Sequence, residues 1–314
     1  MPDPAEPDPA EPDPTEPDPT GGPRLLAVSD LHVRHAENRD AAADLRPSHP
    51  GDWLIVAGDV AEQVEDTVAT LASLRERFAE VLWVPGNHEL WTRPKEEGAL
   101  RGEPRYRRLV ERCQEVGVLT PEDPYPVWTG VDGPVVVAPL FVLYDYSFLP
   151  PGTSTSEEGL AAAHAAGVVC TDEFLLYPDP YPTRQAWCDA RIAESQRRLD
   201  EIDPAMATVL VNHWPLTRYP TRILRYPEFS LWCGSTRTAD WHVRYRARSV
   251  VYGHLHVPRV TWEDGVRFVE ASLGYPREQK ARAERGMVTE PLPRQILPLP
   301  APEPDPLAKY DKPL

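Results

Sequence analysis

The stretch Leu25-Leu26-Ala27-Val28-Ser29-Asp30-Leu31-His32 passes from four apolar residues to a carboxylate and an imidazole. The apolar run predicts a short buried strand, and its polar end places chemistry where the strand stops. Asp30 and His32 are two apart, so on a strand both side chains share one face. The pattern recurs along the chain. Residues 53–57 lead to Gly58-Asp59, 81–84 to Gly86-Asn87-His88-Glu89, 208–211 to His213, and 249–252 to Gly253-His254-Leu255-His256. Seven side chains suited to metal binding (Asp30, His32, Asp59, Asn87, His213, His254 and His256) thus stand at strand ends, with His88 to spare. Carboxylate, carboxamide and imidazole without thiolate suit Mn, Fe or Zn.

Working outward, the same apolar runs and 135–138 read as strands, with helical spacing between some of them. Val64, Val68, Leu71, Leu74 and Phe78 recur at three- and four-residue steps across 64–78, and 105–116 and 186–202 read similarly. Alternating strands and helices predict an α/β architecture. A late hairpin is expected from 259–262 and 266–272 across Glu263-Asp264-Gly265. Residues 150–185, rich in Pro, Gly, Ser and Ala, read as a long loop or insertion near the mouth of the site.

The 314 residues, 41% hydrophobic with 9 Trp and 12 Tyr, support one large core. Residues 1–22 form a Pro/Asp/Glu tail, repeating with a period of five over 2–20, and composition predicts that it is solvated and extended. The main domain is expected over 23–290. A Pro-rich C-terminal tail follows over 291–314, whose Ile296, Leu297, Leu299 and Leu307 can strap onto the body. No basic, apolar signal region opens the chain and no run approaches the roughly 20 apolar residues of a bilayer span, so a cytoplasmic protein is expected. Cys113, Cys170, Cys188 and Cys233 show no CxxC pairing and read as buried thiols. Net charge is −16, of which residues 1–20 supply −7. Such a surface repels nucleic-acid backbones and anionic membranes, so neither is an expected partner.

The donor set also suggests a reaction. Asp59 has two oxygens and can bridge two cations, Asn87 offers a neutral carbonyl oxygen, and His254 and His256 can serve one cation each. Two cations about 3.5–4 Å apart can clamp a phosphoryl group and acidify water.

Taken together, the five motifs resemble the calcineurin-like metallophosphoesterase family, in that family's order and over roughly residues 24–275. The resemblance implies a two-sheet β-sandwich flanked by helices. It implies one metal on Asp30, His32, Asp59 and His256, and another on Asp59, Asn87, His213 and His254. His88 matches a catalytic histidine that protonates the leaving oxygen or steadies the transition-state charge. Val60-Ala61-Glu62 follows Gly58-Asp59 without the Asp-Arg-Gly of phosphoprotein phosphatases, which argues against a protein phosphatase. Glu89 stands where many relatives have Asp, a difference expected to matter little.

Segments outside these motifs, among them Tyr144–Phe148, Thr171–Leu176, Tyr181–Arg184, Tyr226–Gly234 and Gly274–Glu278, are similar to a bacterial phosphopantetheinyl hydrolase subgroup. That resemblance implies release of 4′-phosphopantetheine from an acyl or peptidyl carrier protein. Arg184, Arg222 and Arg237 are candidates to hold phosphate oxygens, and Tyr144 and Trp232 to line a channel for the arm. Arginines at 218, 222, 225, 237, 244, 246 and 248 suggest a surface for an acidic partner. Alternatives are a small-molecule phosphoesterase acting on a cyclic nucleotide, nucleotide diester or pyrophosphate, and a non-catalytic protein-binding module.

Overall fold

In the computed structural model, which describes residues 21–93, 99–287, 291–301, 305 and 307–312, alternate residues of the first strand serve two different cores. The acidic repeat at 2–20 lies outside the described residues. Strand β1 (Leu25–Val28) sends Leu25 and Ala27 into one apolar cluster, and Leu26 and Val28 into another. Successive strand side chains point to opposite faces, so this strand is covered on both sides.

The same holds for its parallel neighbours β2 (Trp53–Val56) and β3 (Glu80–Trp83). A second sheet holds β4 (Val127–Gly130), β5 (Gly133–Pro139), β6 (Ala207–Val211), β7 (Ala247–Tyr252), β8 (Val260–Glu263) and β9 (Val266–Glu270), in the order β4-β5-β6-β7-β9-β8. The inner cluster joins the sheets: Leu25, Ala27, Ile55 and Leu82 meet Val135, Val137, Val209, Val251 and Val269. The outer cluster carries Leu71, Leu74, Leu109, Trp187 and Ile192 from the flanking helices. The architecture is therefore mixed α/β, with two mixed sheets layered between helices, as the motif order implied. Each fully buried leucine of these faces contributes about 1.5–3 kcal/mol.

Element ends follow local chemistry. The helix Val64–Arg75 stops short of residue 78, and Phe78 packs from the next turn with its N–H on the Leu74 carbonyl. The helix Arg184–Asp200 starts two residues before the apolar pattern, because Thr183 Oγ1 accepts the Ala186 N–H at 3.1 Å. The stretch 150–185 is more regular than its composition suggests and contains the helices Ser156–Ala165 and Asp172–Leu175. Past Pro291, β10 (Arg294–Leu297) pairs antiparallel with β1 as an edge strand, burying Ile296 and Leu297.

The parallel strands β1, β2, β3, β6 and β7 bring the five motifs to one end of the sandwich. There the sheets touch through backbone: Ser29 N–H donates to Ala271 O, and Leu273 N–H to Ser29 O, both at 2.9 Å.

Candidate metal centre

Five of the motif residues leave their strands through left-handed backbone: Asp30, His32, Asp59, His254 and His256 have φ between 42° and 72°. Asp and His tolerate this region better than most side chains, and such conformations gather at functional sites. The motif glycines are there for space. A side chain at Gly86 would collide with the Asp59 carboxylate, and one at Gly253 with Ser29 and Asp30.

The turns put two donor groups side by side. In the first, Asp30 Oδ1 is 3.0 Å from His256 Nε2, and His32 Nε2 is 3.1 Å from His256 Nε2 and 3.9 Å from Asp59 Oδ2. Asp30, His32, Asp59 and His256 each offer an atom within 4.8 Å of the others. In the second, Asn87 Oδ1 is 3.2 Å from both His213 Nε2 and His254 Nδ1, and His213 Nε2 is 3.5 Å from Asp59 Oδ2. Asp59 Oδ2 faces both groups. Metal bonds of about 2.1 Å place neighbouring ligand atoms about 3–3.4 Å apart; the 3.0–3.2 Å contacts match this, and the two to Asp59 Oδ2, at 3.5 and 3.9 Å, are longer.

The proton inventory sharpens the fit. His213 Nδ1 lies 2.8 Å from the Ala57 carbonyl and must donate to it, so Nε2 carries a lone pair. Asn87 Nδ2 donates to Asp172 Oδ1 at 3.0 Å, so its Oδ1 faces that lone pair. Two acceptors 3.2 Å apart have no proton to share. A cation between them removes the repulsion, and this donor set fits one.

The surroundings hold each donor in place. Glu278 Oε2 takes His256 Nδ1 at 2.8 Å and also caps its own helix at the Tyr275 N–H. Ser272 Oγ is 2.5 Å from Asp30 Oδ2 and 2.5 Å from Glu270 Oε1. His88 N–H donates to Asp59 Oδ1 at 2.9 Å, and its ring packs on Trp91 with centroids 3.7 Å apart. Glu89 does more than expected. It is fully buried and accepts the N–H groups of Asp59, Val60 and Gly86, tying two motif loops together. The expectation that this position matters little did not allow for that role.

Charge is distributed unevenly. Burial disfavours the charged form of His256, but Asp30 and Glu278 hold its pKa well above the imidazole range. Burial keeps His88 well below it, helped by His32 and His256 nearby, and so neutral. Burial, then Glu89 and Asp30, pushes the Asp59 carboxyl well up.

Four of the five substrate-contact candidates have polar partners within the chain, and the fifth, Tyr144, is buried without one among the described residues. Arg184 ties Asp172 O, Leu176 O, Tyr146 and Glu173 together. Arg222 bonds the Lys312 carbonyl, and Arg237 pairs with Asp189. Tyr144 and Trp232 are fully buried, Trp232 with its Nε1–H on Glu173 at 2.7 Å, so neither offers an open channel wall. The arginine stretch is also engaged within the chain: Arg218 on Leu149 O, Arg244 on Asp200, Arg246 on Met206 O and Arg248 on Asp132 O.

Asp172, Ser272, Tyr275 and Glu278 went unassigned. Three lie in segments with a distinctive sequence, but their partners are distant: Asn87 and Asp172 are 85 residues apart, His88 and Tyr275 187.

Residues 23–258 match a family model described as calcineurin-like phosphoesterase. Over 278 residues the chain is 56% identical to the acyl-carrier-protein phosphodiesterase PptH of Mycobacterium tuberculosis, covering 88% of this chain and 84% of that protein. The crystal structure of the phosphopantetheinyl hydrolase PptH from the same organism superposes with a TM-score of 0.85 at 55% identity, covering 90% of this chain and 99% of that one.

Proposed function

We propose that this chain, which belongs to the calcineurin-like phosphoesterase family and is a metal-dependent phosphoric ester hydrolase, cuts the phosphodiester joining a phosphopantetheine arm to an acyl or peptidyl carrier protein. The observation that carries this reading is 56% identity, over 88% of the chain, to a protein named for that activity.

In this reading Asp30, His32, Asp59 and His256 hold one metal, and Asp59, Asn87, His213 and His254 the other. The ions are Mn, Fe or Zn, since hard oxygen and imidazole nitrogen suit all three. Bound there, they supply electrostatic stabilisation of the phosphoryl oxygens and a water acidified toward neutrality. The chain's own residues do the rest. Asp59 takes the His88 N–H at 2.9 Å and so fixes the ring beside the centre. His88 Nε2, 3.2 Å from the Tyr275 hydroxyl, is neutral at rest, so it first takes up the proton given up by the attacking water and then passes it to the departing seryl oxygen. Trp91 and Tyr275 flank that ring, with centroids 3.7 and 6.4 Å away.

The catalytic unit is taken as 23–290. The four cysteines are free and buried, which suits a reducing compartment, and we place the chain in the cytoplasm. Among the described residues no helix is long and apolar enough to cross a membrane.

The test is incubation of holo carrier protein with the Mn²⁺-loaded chain, followed by mass spectrometry of the carrier. Conversion to the apo form is expected. No loss of the arm, with fast turnover of a nucleotide diester instead, favours the small-molecule alternative.

A further inference from the structure

We propose that Asp172 is the positioning residue of the second metal site: it locks the Asn87 carboxamide so that Oδ1, and not the amino group, faces His213 and His254. This rests on the two-metal reading above and extends it to a residue of the 150–185 segment.

A carboxamide presents an acceptor at one end and a donor at the other, nearly equal in size, and its neighbours decide which end points where. On the metal side Asn87 meets two imidazole nitrogens, at 3.2 Å each. His213 Nε2 carries a lone pair, so without a cation this side favours the amino end and does not turn Oδ1 inward. The opposite side does. Asp172 Oδ1 takes Asn87 Nδ2 at 3.0 Å and Trp91 Nε1 at 2.7 Å, both converging on one oxygen. Turned the other way, Asn87 would set its carbonyl against that oxygen.

Asp172 is a costly residue to place there. It is fully buried. Arg184, the nearby cation, binds its backbone carbonyl at 2.8 Å and Glu173's carboxylate, not the Asp172 carboxylate. The Tyr144 hydroxyl leans on that carboxylate without a hydrogen bond of good geometry. A buried acid without a cation partner is destabilising. A dication one amide beyond it supplies the missing attraction, and the polarised amide in turn offers a more electron-rich oxygen. Groups in this relation to a ligand commonly affect metal affinity as strongly as activity. The 150–185 segment therefore completes the centre from behind.

The experiment measures Mn²⁺ binding by equilibrium dialysis to the chelator-treated full chain, for wild type, D172A, D172N, N87A and D172A/N87A. D172A should weaken the second site by roughly 10–100-fold and leave the first unchanged. D172N keeps an oxygen for both donors and should recover most of the loss. On the N87A background, D172A should add nothing, because the two act as one unit. A second site of wild-type affinity in D172A, or losses that multiply in the double variant, overturns the proposal. If wild type binds only one ion, the two-metal reading fails, a result distinct from an unaffected D172A; if N87A binds two ions as tightly as wild type, Asn87 is not a ligand and the proposal is overturned. Should D172A not fold, D172S, too short to reach Asn87, replaces it in the same cycle.

Discussion

The Tyr275 hydroxyl lies 3.2 Å from His88 Nε2, and the same ring stacks on His32 with centroids 4.4 Å apart. One side chain from the segment after β9 thus touches both a metal-ligand candidate and the proposed proton donor. Tyr275→Phe keeps the stack and removes only the hydroxyl. We expect kcat on chromogenic diesters to fall on the order of tenfold, less than the roughly hundredfold or more of a direct proton donor, because Tyr275 acts through His88. The fall should be steeper for poorer leaving groups, with KM changed little. An equal loss for all leaving groups would remove Tyr275 from the proton path.

Glu89→Gln should disturb the centre without replacing any ligand. Its carboxylate holds Asp59, Val60 and Gly86 N–H groups, and an amide has only one oxygen for them. Stability should drop by about 1–3 kcal/mol, read by urea denaturation of the metal-free chain. Unchanged stability would show that the loops hold themselves.

Metal binding should release protons. In the metal-free chain His256, against burial, is held well above the imidazole range by Asp30, and Asp59 is pushed up by burial. His256 must lose its proton to become a ligand, and Asp59 gives up whatever proton it holds, so affinity rises as pH rises and falls as pH falls. Calorimetry of Mn²⁺ binding in buffers of different ionisation enthalpy should report net proton release between pH 6 and 8. Zero release contradicts this assignment of charge.

A pH effect on stability should come from another part of the molecule. Glu122 is held down to about 2, from 4.5, by Arg191 with Tyr106 and Arg107, against burial. A depressed carboxylate contributes stability that is present above the unfolded pKa and lost as pH falls through the folded one. Wild type should therefore weaken between about pH 4.5 and 2. Glu122→Gln should cost about 1.5–3 kcal/mol at pH 7 and show a shallower slope in that window, by denaturant unfolding. Parallel slopes would refute it.

Much of this was legible in the chain. Apolar runs of about five residues ending in Gly-Asp, Gly-Asn-His-Glu or Gly-His-x-His announce buried parallel strands and the donors at their ends, because both features are local. What surrounds the donors was not. Asp172 meets Asn87, Tyr275 meets His88, and Ser272 meets Asp30 only through tertiary folding. Residue type alone did not show the intrachain partners of Arg184, Arg222 and Arg237, which hold carbonyls and carboxylates of their own chain. The Pro-rich stretch after 291 hid an edge strand, since β10 takes its pairing from β1 and not from its own composition.

The central claim is that Asp59 joins two donor groups into a dimetal centre. Mn²⁺ bound per chain, counted for wild type and Asp59→Asn after chelation and dialysis, tests it most directly. The account predicts two ions for wild type, and for Asp59→Asn a loss of affinity beyond the roughly 10–100-fold typical of groups one contact removed, with circular dichroism unchanged. A wild-type chain that binds a single ion, or an Asp59→Asn chain that binds two as tightly as wild type, would contradict it.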